Sequence, residues 1–208
     1  MKYEIVFWDW NGTIVDDLDI AVKSLNSVLE KYGYDKITAE IYRKNIDTSV
    51  INLYKKIFDL NVHPFEILAN DFGHYYNLYS EDLSLHEGVL DKLQEFKEQG
   101  SRQVILSSSA TGVIEQYMNR FMICEYFDKI LGADDMLSGD KVCRAKRYIE
   151  NYNLSKSKIL FIGDTVYDSN MAKTLGADCA LLTCGHQSPE LLKRCRDSIF
   201  ENLYQINC

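Results

Sequence analysis

One long interruption in an otherwise regular alternation of strand and helix patterns most constrains this chain. Short apolar runs rich in β-branched or aromatic residues recur at Tyr3 to Trp8, Gln103 to Leu106, Lys129 to Leu131, Lys158 to Ile162 and Cys179 to Thr183. Such runs read as parallel strands buried on both faces. Between the later ones, apolar residues recur at helical spacing: Val89, Leu90, Leu93 and Phe96 before Gly100; Val113, Ile114, Tyr117 and Phe121; Val142, Ala145, Tyr148, Ile149 and Tyr152. This alternation predicts an α/β fold, a parallel sheet wrapped by helices. Yet about 95 residues separate the first two strands, where a simple crossover needs only a few dozen. The excess is an insertion, and its pattern is helical: Leu18, Val22, Leu25, Val28, Leu29 and Tyr32 before Gly33; Val50, Leu53, Tyr54 and Ile57; Phe65, Leu68, Phe72, Tyr75 and Tyr79, with Pro64 suited to a first turn. Seven of the 14 tyrosines lie between Tyr32 and Tyr79. They read as the core of a small helical domain, with some free to line a pocket.

At 208 residues the chain has room for one α/β domain plus a small insertion, and not for two full domains. Lys+Arg 23 against Asp+Glu 31 gives a net charge of −8, which repels phosphate backbones and anionic lipid and argues against nucleic-acid or membrane partners. The longest apolar runs, such as Ile159-Leu160-Phe161-Ile162, fall far short of the roughly 20 residues that span a bilayer. Six cysteines without a CxxC pair read as reduced thiols of a cytoplasmic protein.

Ligands of open α/β sheets bind beyond the carboxyl ends of the strands. The residues there form a coherent set: Asp9-Trp10-Asn11-Gly12-Thr13 after the first strand, Ser107-Ser108-Ser109 after the second, Gly139-Asp140-Lys141 before a helix, and Gly163-Asp164-Thr165-Val166-Tyr167-Asp168 after the fourth. A carboxylate at the position of Asp9 can attack phosphorus, although Asp-x-Asn-Gly is also ordinary turn chemistry. Asp164 and Asp168, four apart at the opening of a helix, can offer oxygen ligands to Mg²⁺ or simply favour the helix N-terminus. Ser107 can donate its hydroxyl to a phosphate, or cap a helix. Lys141 stands in the first turn of a helix behind Asp140, where its charge opposes the helix dipole; a nearby anion would explain it.

Together these residues resemble the haloacid dehalogenase superfamily of aspartate-nucleophile hydrolases, in its phosphoglycolate phosphatase-like branch. Phe7-Trp8-Asp9-Trp10-Asn11-Gly12-Thr13 resembles the first family motif, Ser107 the second, Lys141 the third and Gly163 to Asp168 the fourth; His86-Glu87-Gly88-Val89-Leu90 and Cys184-Gly185-His186-Gln187 support the match. The resemblance implies a Rossmann-like parallel sheet in the order 5-4-1-2-3 with an inserted α-helical cap, which divides the chain into a core of residues 1–15 and 84–208 and a cap of 16–83. It implies that Asp9 is the nucleophile and that Mg²⁺ is held by Asp9, the backbone carbonyl of Asn11 and Asp164, with Asp168 in support. It assigns Ser107 and Lys141 to the phosphoryl oxygens, and Thr13 and Ser108 complete the expected phosphate site. The expected partner is a small phosphorylated metabolite, and the expected assembly a monomer or weak homodimer.

One position departs from the family pattern. Phosphatases of this family carry a second aspartate two residues after the nucleophile, which protonates the leaving oxygen and later activates water. Here that residue is Asn11, which cannot transfer a proton at neutral pH. General acid–base catalysis contributes about 10²- to 10⁴-fold, so about 3 to 5 kcal/mol of barrier is at stake. The chain is then a slow phosphatase or one for good leaving groups such as acyl phosphates, an enzyme that draws on another acid such as His63, His74 or His86, or a silenced protein that binds Mg²⁺ and a phosphorylated ligand. The expected specificity loop is Asn45 to Ser49, and Arg43 or Lys44 reads either as a contact to a substrate anion or as solvated helix charge.

Overall fold

The computed structural model describes residues 2–46, 50–133, 140–152, 155, 158–195 and 197–206. The expected Asp47-Thr48-Ser49 part of the specificity loop, Gly139 and Cys208 lie outside them. Strand β1 (Ile5–Trp8) leads through a two-residue β2 (Val15–Asp16) into helices α1 (Leu18–Lys31), α2 (Ala39–Asn45), α3 (Val50–Ile57) and α4 (Phe65–Tyr79), and the chain returns by β3 (Ser84–Leu85). Strands and helices then alternate: α5 (Val89–Glu98), β4 (Arg102–Leu106), α6 (Thr111–Phe121), β5 (Lys129–Leu131), α7 (Lys141–Asn151), β6 (Ile159–Gly163), α8 (Val166–Leu175), β7 (Asp178–Leu182), α9 (Pro189–Leu192) and β8 (Ser198–Phe200).

The sheet is parallel throughout, in the order β5-β4-β1-β6-β7-β8. The five strands legible in the sequence hold the expected order. The difference is β8, added beside β7; its three residues lie between Asp197 and Glu201, too short and too polar in setting to stand out as an apolar run. β1 sits at the centre, with Phe7 opposite Val104 on one side and Phe161 on the other. All four of its residues are fully buried. The two-residue period of a strand sends Val6 and Trp8 to one face of the sheet and Ile5 and Phe7 to the other. Phe7 stacks on Phe161 with centroids 4.8 Å apart, while Trp8 meets Phe96 edge-on and donates its indole N–H to Gln103 Oε1 (3.1 Å). A strand buried so completely can run to the centre of the molecule and deliver Asp9 at its carboxyl end.

Helices α1 to α4 gather a third apolar cluster of their own, including Val22, Leu25, Leu29, Leu53, Phe58 and Leu68. β2 and β3 pair antiparallel where the chain leaves for these helices and returns, Val15 opposite Leu85 and Asp16 opposite Ser84. Arg120 of α6 fixes the return, donating to the carbonyls of Ser80 (2.7 Å) and Glu81 (2.5 Å). Among the described residues no helix is long and apolar enough to cross a membrane.

Candidate active site

Four strand ends converge on one place. After β1 the chain turns sharply: Trp10 is buried, and its carbonyl accepts from the N–H groups of Ile14 and Val15 (3.0 Å each). Gly12 takes φ +73°, and a Cβ there would collide with the Asp164 carboxylate and the His186 ring. Only glycine permits so close an approach. Gly185 faces Asp164 in the same way, so two backbone segments close around that carboxylate. Asp164 follows β6, is fully buried, and accepts from Thr13 Oγ1 (3.2 Å) and the His186 N–H (2.6 Å).

Lys141 opens α7 behind its N-cap Asp140, whose side chain accepts from Cys143 N–H (2.9 Å). The anion that its unfavourable position called for is Asp9: Lys141 Nζ lies 2.8 Å from Asp9 Oδ1 and 3.7 Å from Asp168 Oδ1. Asp9 Oδ1 also accepts from Trp10 N–H (2.7 Å). Asp168 closes a capping box at the start of α8, its Oδ2 accepting from Thr165 Oγ1 (2.5 Å) and Thr165 N–H (3.2 Å). Its helix-terminal reading and its place in the charged site therefore coexist, one oxygen for each.

One oxygen from each of Asp9, Asp164 and Asp168 lies within 4.8 Å of the others. Burial pushes the Asp9 carboxyl up to about 6, against the pull of Lys141, and the charge of Asp168 adds to the rise. Burial likewise pushes Asp164 up to about 7, with Asp9 and Asp168 adding repulsion that His186 only partly offsets. Lys141 is raised despite its burial by Asp9 and Asp168. Three acids around a single lysine, in so dry a place, carry more negative charge than the protein's own groups neutralise. Hard oxygen donors at this spacing fit a divalent cation.

The second strand end supplies Ser107, buried, whose Oγ accepts from Ser109 N–H (3.0 Å) and so keeps its own proton for an acceptor; Ser108 follows it. Ser107, Ser108, Asp9, Asn11, Lys141 and Asp164 all line a cavity of about 520 Å³. Thr13, fully buried, instead gives its hydroxyl to Asp164.

Asn11 is held on three sides. Its Nδ2 donates to Asp17 Oδ2 (2.7 Å) and Tyr76 Oη (3.0 Å), and its Oδ1 accepts from Ser109 Oγ (2.9 Å). Asp17 in turn accepts from Gly12 N–H (2.8 Å) and Tyr76 O–H (2.8 Å) and faces His186 Nε2 at 3.0 Å, while Tyr42 Oη lies 3.1 Å from His186 Nδ1. Burial alone would raise Asp17, but His186 and the hydrogen bonds hold it below its usual range; burial alone would lower His186, but Asp17 and Asp164 lift it to about 9. Sequence reasoning missed this pair. Asp17 belongs to none of the motifs read from the sequence, and His186 only to a supporting stretch, because the two are 169 residues apart. His63 and His74 lie elsewhere, packed on Tyr32 and Tyr75, whereas His86 sits beside the site, 3.9 Å from Asp16 and near enough to Asp17 and His186 to feel their charges, although it does not line the cavity.

The two cations at the end of α2 also separate. Lys44 is a solvated charge paired with Glu40 (2.6 Å). Arg43 reaches across to the loop after β7 and donates to the carbonyls of Thr183 (2.5 Å) and Gln187 (2.9 Å), and Ser188 N–H returns a bond to Arg43 O (3.2 Å).

A sheet of this order with this constellation at its carboxyl edge defines a hydrolase of the haloacid dehalogenase type, and residues 6–182 match the family model "Haloacid dehalogenase-like hydrolase". The chain belongs to that family. A Caldanaerobacter subterraneus protein provisionally named pyrophosphatase PpaX is 25% identical over 99% of this chain and 94% of its own. The pyrophosphatase PpaX of Bacillus cereus is 25% identical over 136 residues, 65% of this chain and 62% of that one. Among solved structures, a haloacid dehalogenase-like hydrolase from Streptococcus pneumoniae superposes with a TM-score of 0.81 at 18% identity, over 95% of this chain and 93% of its own. CbbY from Rhodobacter sphaeroides, bound to xylulose-1,5-bisphosphate, does so with 0.75 at 16%, over 99% and 96%. Identities this low carry the fold and not the substrate.

Proposed function

We propose that this chain is a Mg²⁺-dependent phosphatase of a small phosphorylated metabolite, acting through an aspartyl-phosphate on Asp9. The observation that carries the reading is the placement of Asp9 between Lys141 (2.8 Å) and two further carboxylates at the floor of a cavity. Asp9 Oδ1 is occupied by Lys141 and Trp10 N–H, which leaves Oδ2 as the attacking oxygen. As the Oδ2–P bond forms, the P–O bond to the leaving group breaks; attack of water on phosphorus then releases phosphate and restores Asp9. Lys141 and the Ser107 hydroxyl hold phosphoryl oxygens through both steps, with Ser108 beside them, and Thr13 fixes Asp164. Mg²⁺ held by Asp9, the Asn11 carbonyl and Asp164, with Asp168 in support, would neutralise phosphoryl charge and orient the group for in-line transfer.

Asn11 acts by position, since an amide cannot deliver the proton that an alkoxide leaving group needs. Turnover is therefore slow on alkyl esters and faster on aryl or acyl phosphates. Residues 16–83 serve as the cap and 1–15 with 84–208 as the core; the separate apolar cluster of α1 to α4 and the β2–β3 crossing support this division. Free thiols at Cys124, Cys143, Cys179, Cys184 and Cys195 support a cytoplasmic setting.

The test compares wild type, Asn11→Asp and Asp9→Asn on aryl and acyl phosphates with Mg²⁺ or a chelator. Wild-type hydrolysis that disappears in Asp9→Asn and in chelator is expected. A wild type as inert as Asp9→Asn on every ester, with phosphate still bound, would establish the silenced reading instead.

A further inference from the structure

The cavity over Asp9 has two chemically distinct ends. The charged side chains among its described lining residues, Asp9, Asp17, Lys141, Asp164 and His186, all belong to the sheet end or the segment leading from it. The opposite wall is built by the inserted helices from Leu25, Leu53, Tyr54 and Phe72, with Ala21 and Gly73 as its small residues. No described residue of α1 to α4 that lines the cavity is charged. Between Ile46 and Val50 the sequence reads Asp47-Thr48-Ser49 and adds no cation.

From this we infer that the substrate is a phosphate monoester with a single anionic end, whose organic part is an uncharged, mainly apolar group such as an aromatic ring or alkyl chain. The inference rests on the phosphatase reading of the sheet end. A second anionic group reaching the helical end would lose water and meet no counter-charge among the described residues there. Lys141 serves the first phosphoryl group, and the other nearby cations are committed: His186 to Asp17, Arg43 to the Thr183 and Gln187 carbonyls and Lys44 to Glu40. Two hydroxyls on that wall are committed too, Tyr42 to His186 and Tyr76 to Asp17, and its remaining polar groups, the Tyr54 hydroxyl and the Asn77 amide, are uncharged. What the wall offers for the rest is apolar and aromatic surface, in a volume within the roughly 300 to 1,000 Å³ of small-molecule pockets. Gly73 marks its spare room, because a Cβ there would meet nothing within 4 Å.

This sets the chain apart from what its relatives' names suggest. Pyrophosphate and phosphoglycolate each bring a second anionic group, and no described residue of the helical end offers a charge to receive it.

Calorimetric titration of the full chain with Mg²⁺ tests the point without turnover. The probes are inorganic phosphate, methylphosphonate, benzylphosphonate, hexylphosphonate, phosphonoacetate and imidodiphosphate. Burying a ring or chain the size of a Phe or Leu side chain gives benzyl- or hexylphosphonate an advantage of about tenfold or more over methylphosphonate. Phosphonoacetate and imidodiphosphate bind no tighter than methylphosphonate. Gly73→Leu, which fills the open space at an ordinary helical position, lowers the benzyl-to-methyl ratio by about threefold or more. Tighter binding of phosphonoacetate or imidodiphosphate than of either apolar probe, a flat series, or a ratio indifferent to Gly73→Leu overturns the inference while phosphate binding leaves the sheet-end reading intact. Failure to bind phosphate and every phosphonate overturns that reading, and the inference with it.

Discussion

Asn11 shows how much a single residue can announce and conceal. Its identity was legible as a missing acid, because the flanking Asp9 and Gly12-Thr13 fix its place in the turn after β1. Its environment was not, since its partners come from Asp17, Tyr76 and Ser109, the last two 65 and 98 positions away. That environment decides what restoring the acid would do. In Asn11→Asp the new carboxyl stands where the amide now lies 2.7 Å from Asp17 Oδ2. Two carboxylates so close resist joint ionisation, and the pair holds a proton to higher pH than either acid alone. A retained proton is what an alkoxide leaving group requires. Asn11→Asp should therefore raise kcat on an alkyl phosphate by about 10- to 100-fold and on an acyl phosphate by much less, since general acid catalysis matters in proportion to leaving-group basicity. Steady-state kinetics on the two esters checks this; equal gains on both would mean that Asn11→Asp acts on binding or geometry and not through a proton.

At the scale of elements, what the hydrophobic pattern could show was the strand and helix sequence, and what it could not show was how the inserted helices meet the sheet. Where the chain leaves the sheet for the inserted helices and returns, it forms a β2–β3 ribbon of two residues in each strand, too short for any periodicity. Arg43 and Lys44 each read either as a contact to a substrate anion or as solvated helix charge, and Lys44 is the latter. Arg43 differs because α2 ends against the loop after β7, whose carbonyls lack a ladder partner and accept its guanidinium. Gln187, fully buried in that loop, ties the same joint on its other side, accepting from Val166 N–H (2.6 Å) and donating to Ile46 O (3.2 Å). Hydrogen bonds to a charged donor contribute about 1.5 to 3 kcal/mol each, so this joint is the strongest polar tie between α2 and the sheet end. Arg43→Met keeps the apolar stem and removes the donors. Hydrogen exchange should then rise in α1 to α4 by an order of magnitude or more, with β1, β4 and β6 unchanged; uniform acceleration across all of them would show that the bond supports the whole fold and not this joint.

For the whole molecule, the net charge of −8 argued from the sequence only against polyanionic partners. In the structure part of that charge is concentrated at Asp9, Asp164 and Asp168, where the chain leaving β1 meets the chain leaving β6, a convergence that the sheet order creates. The concentration has a thermodynamic cost with a definite sign. Asp9 and Asp164 hold protons in the folded chain up to about 6 and about 7, against 3.8 when exposed. Between pH 4 and 8 these two carboxyls therefore bind more protons in the folded than in the unfolded state, and their contribution makes stability fall as pH rises through that window, against a smaller opposite contribution from His86, whose burial holds it below its usual range. His186, lifted from 6.5 to about 9, extends the fall with the same sign into the alkaline range, while Asp17, held low, contributes stability that is lost only on the acid side. A divalent cation competes with those protons and binds the folded state alone, adding RT ln(1 + [L]/Kd), about 2.7 kcal/mol at a hundredfold excess over Kd. Thermal unfolding in chelator should thus give a lower Tm at pH 8 than at pH 5, and Mg²⁺ should raise the pH 8 value by several degrees and the pH 5 value by less. Asp164→Asn, which removes the acid most strongly held in its neutral form, should flatten the pH dependence in chelator and abolish most of the Mg²⁺ response. A pH 8 Tm indifferent to Mg²⁺ in the wild type would mean that the three carboxylates are balanced by the protein alone, and that the excess negative charge at this strand edge is structural.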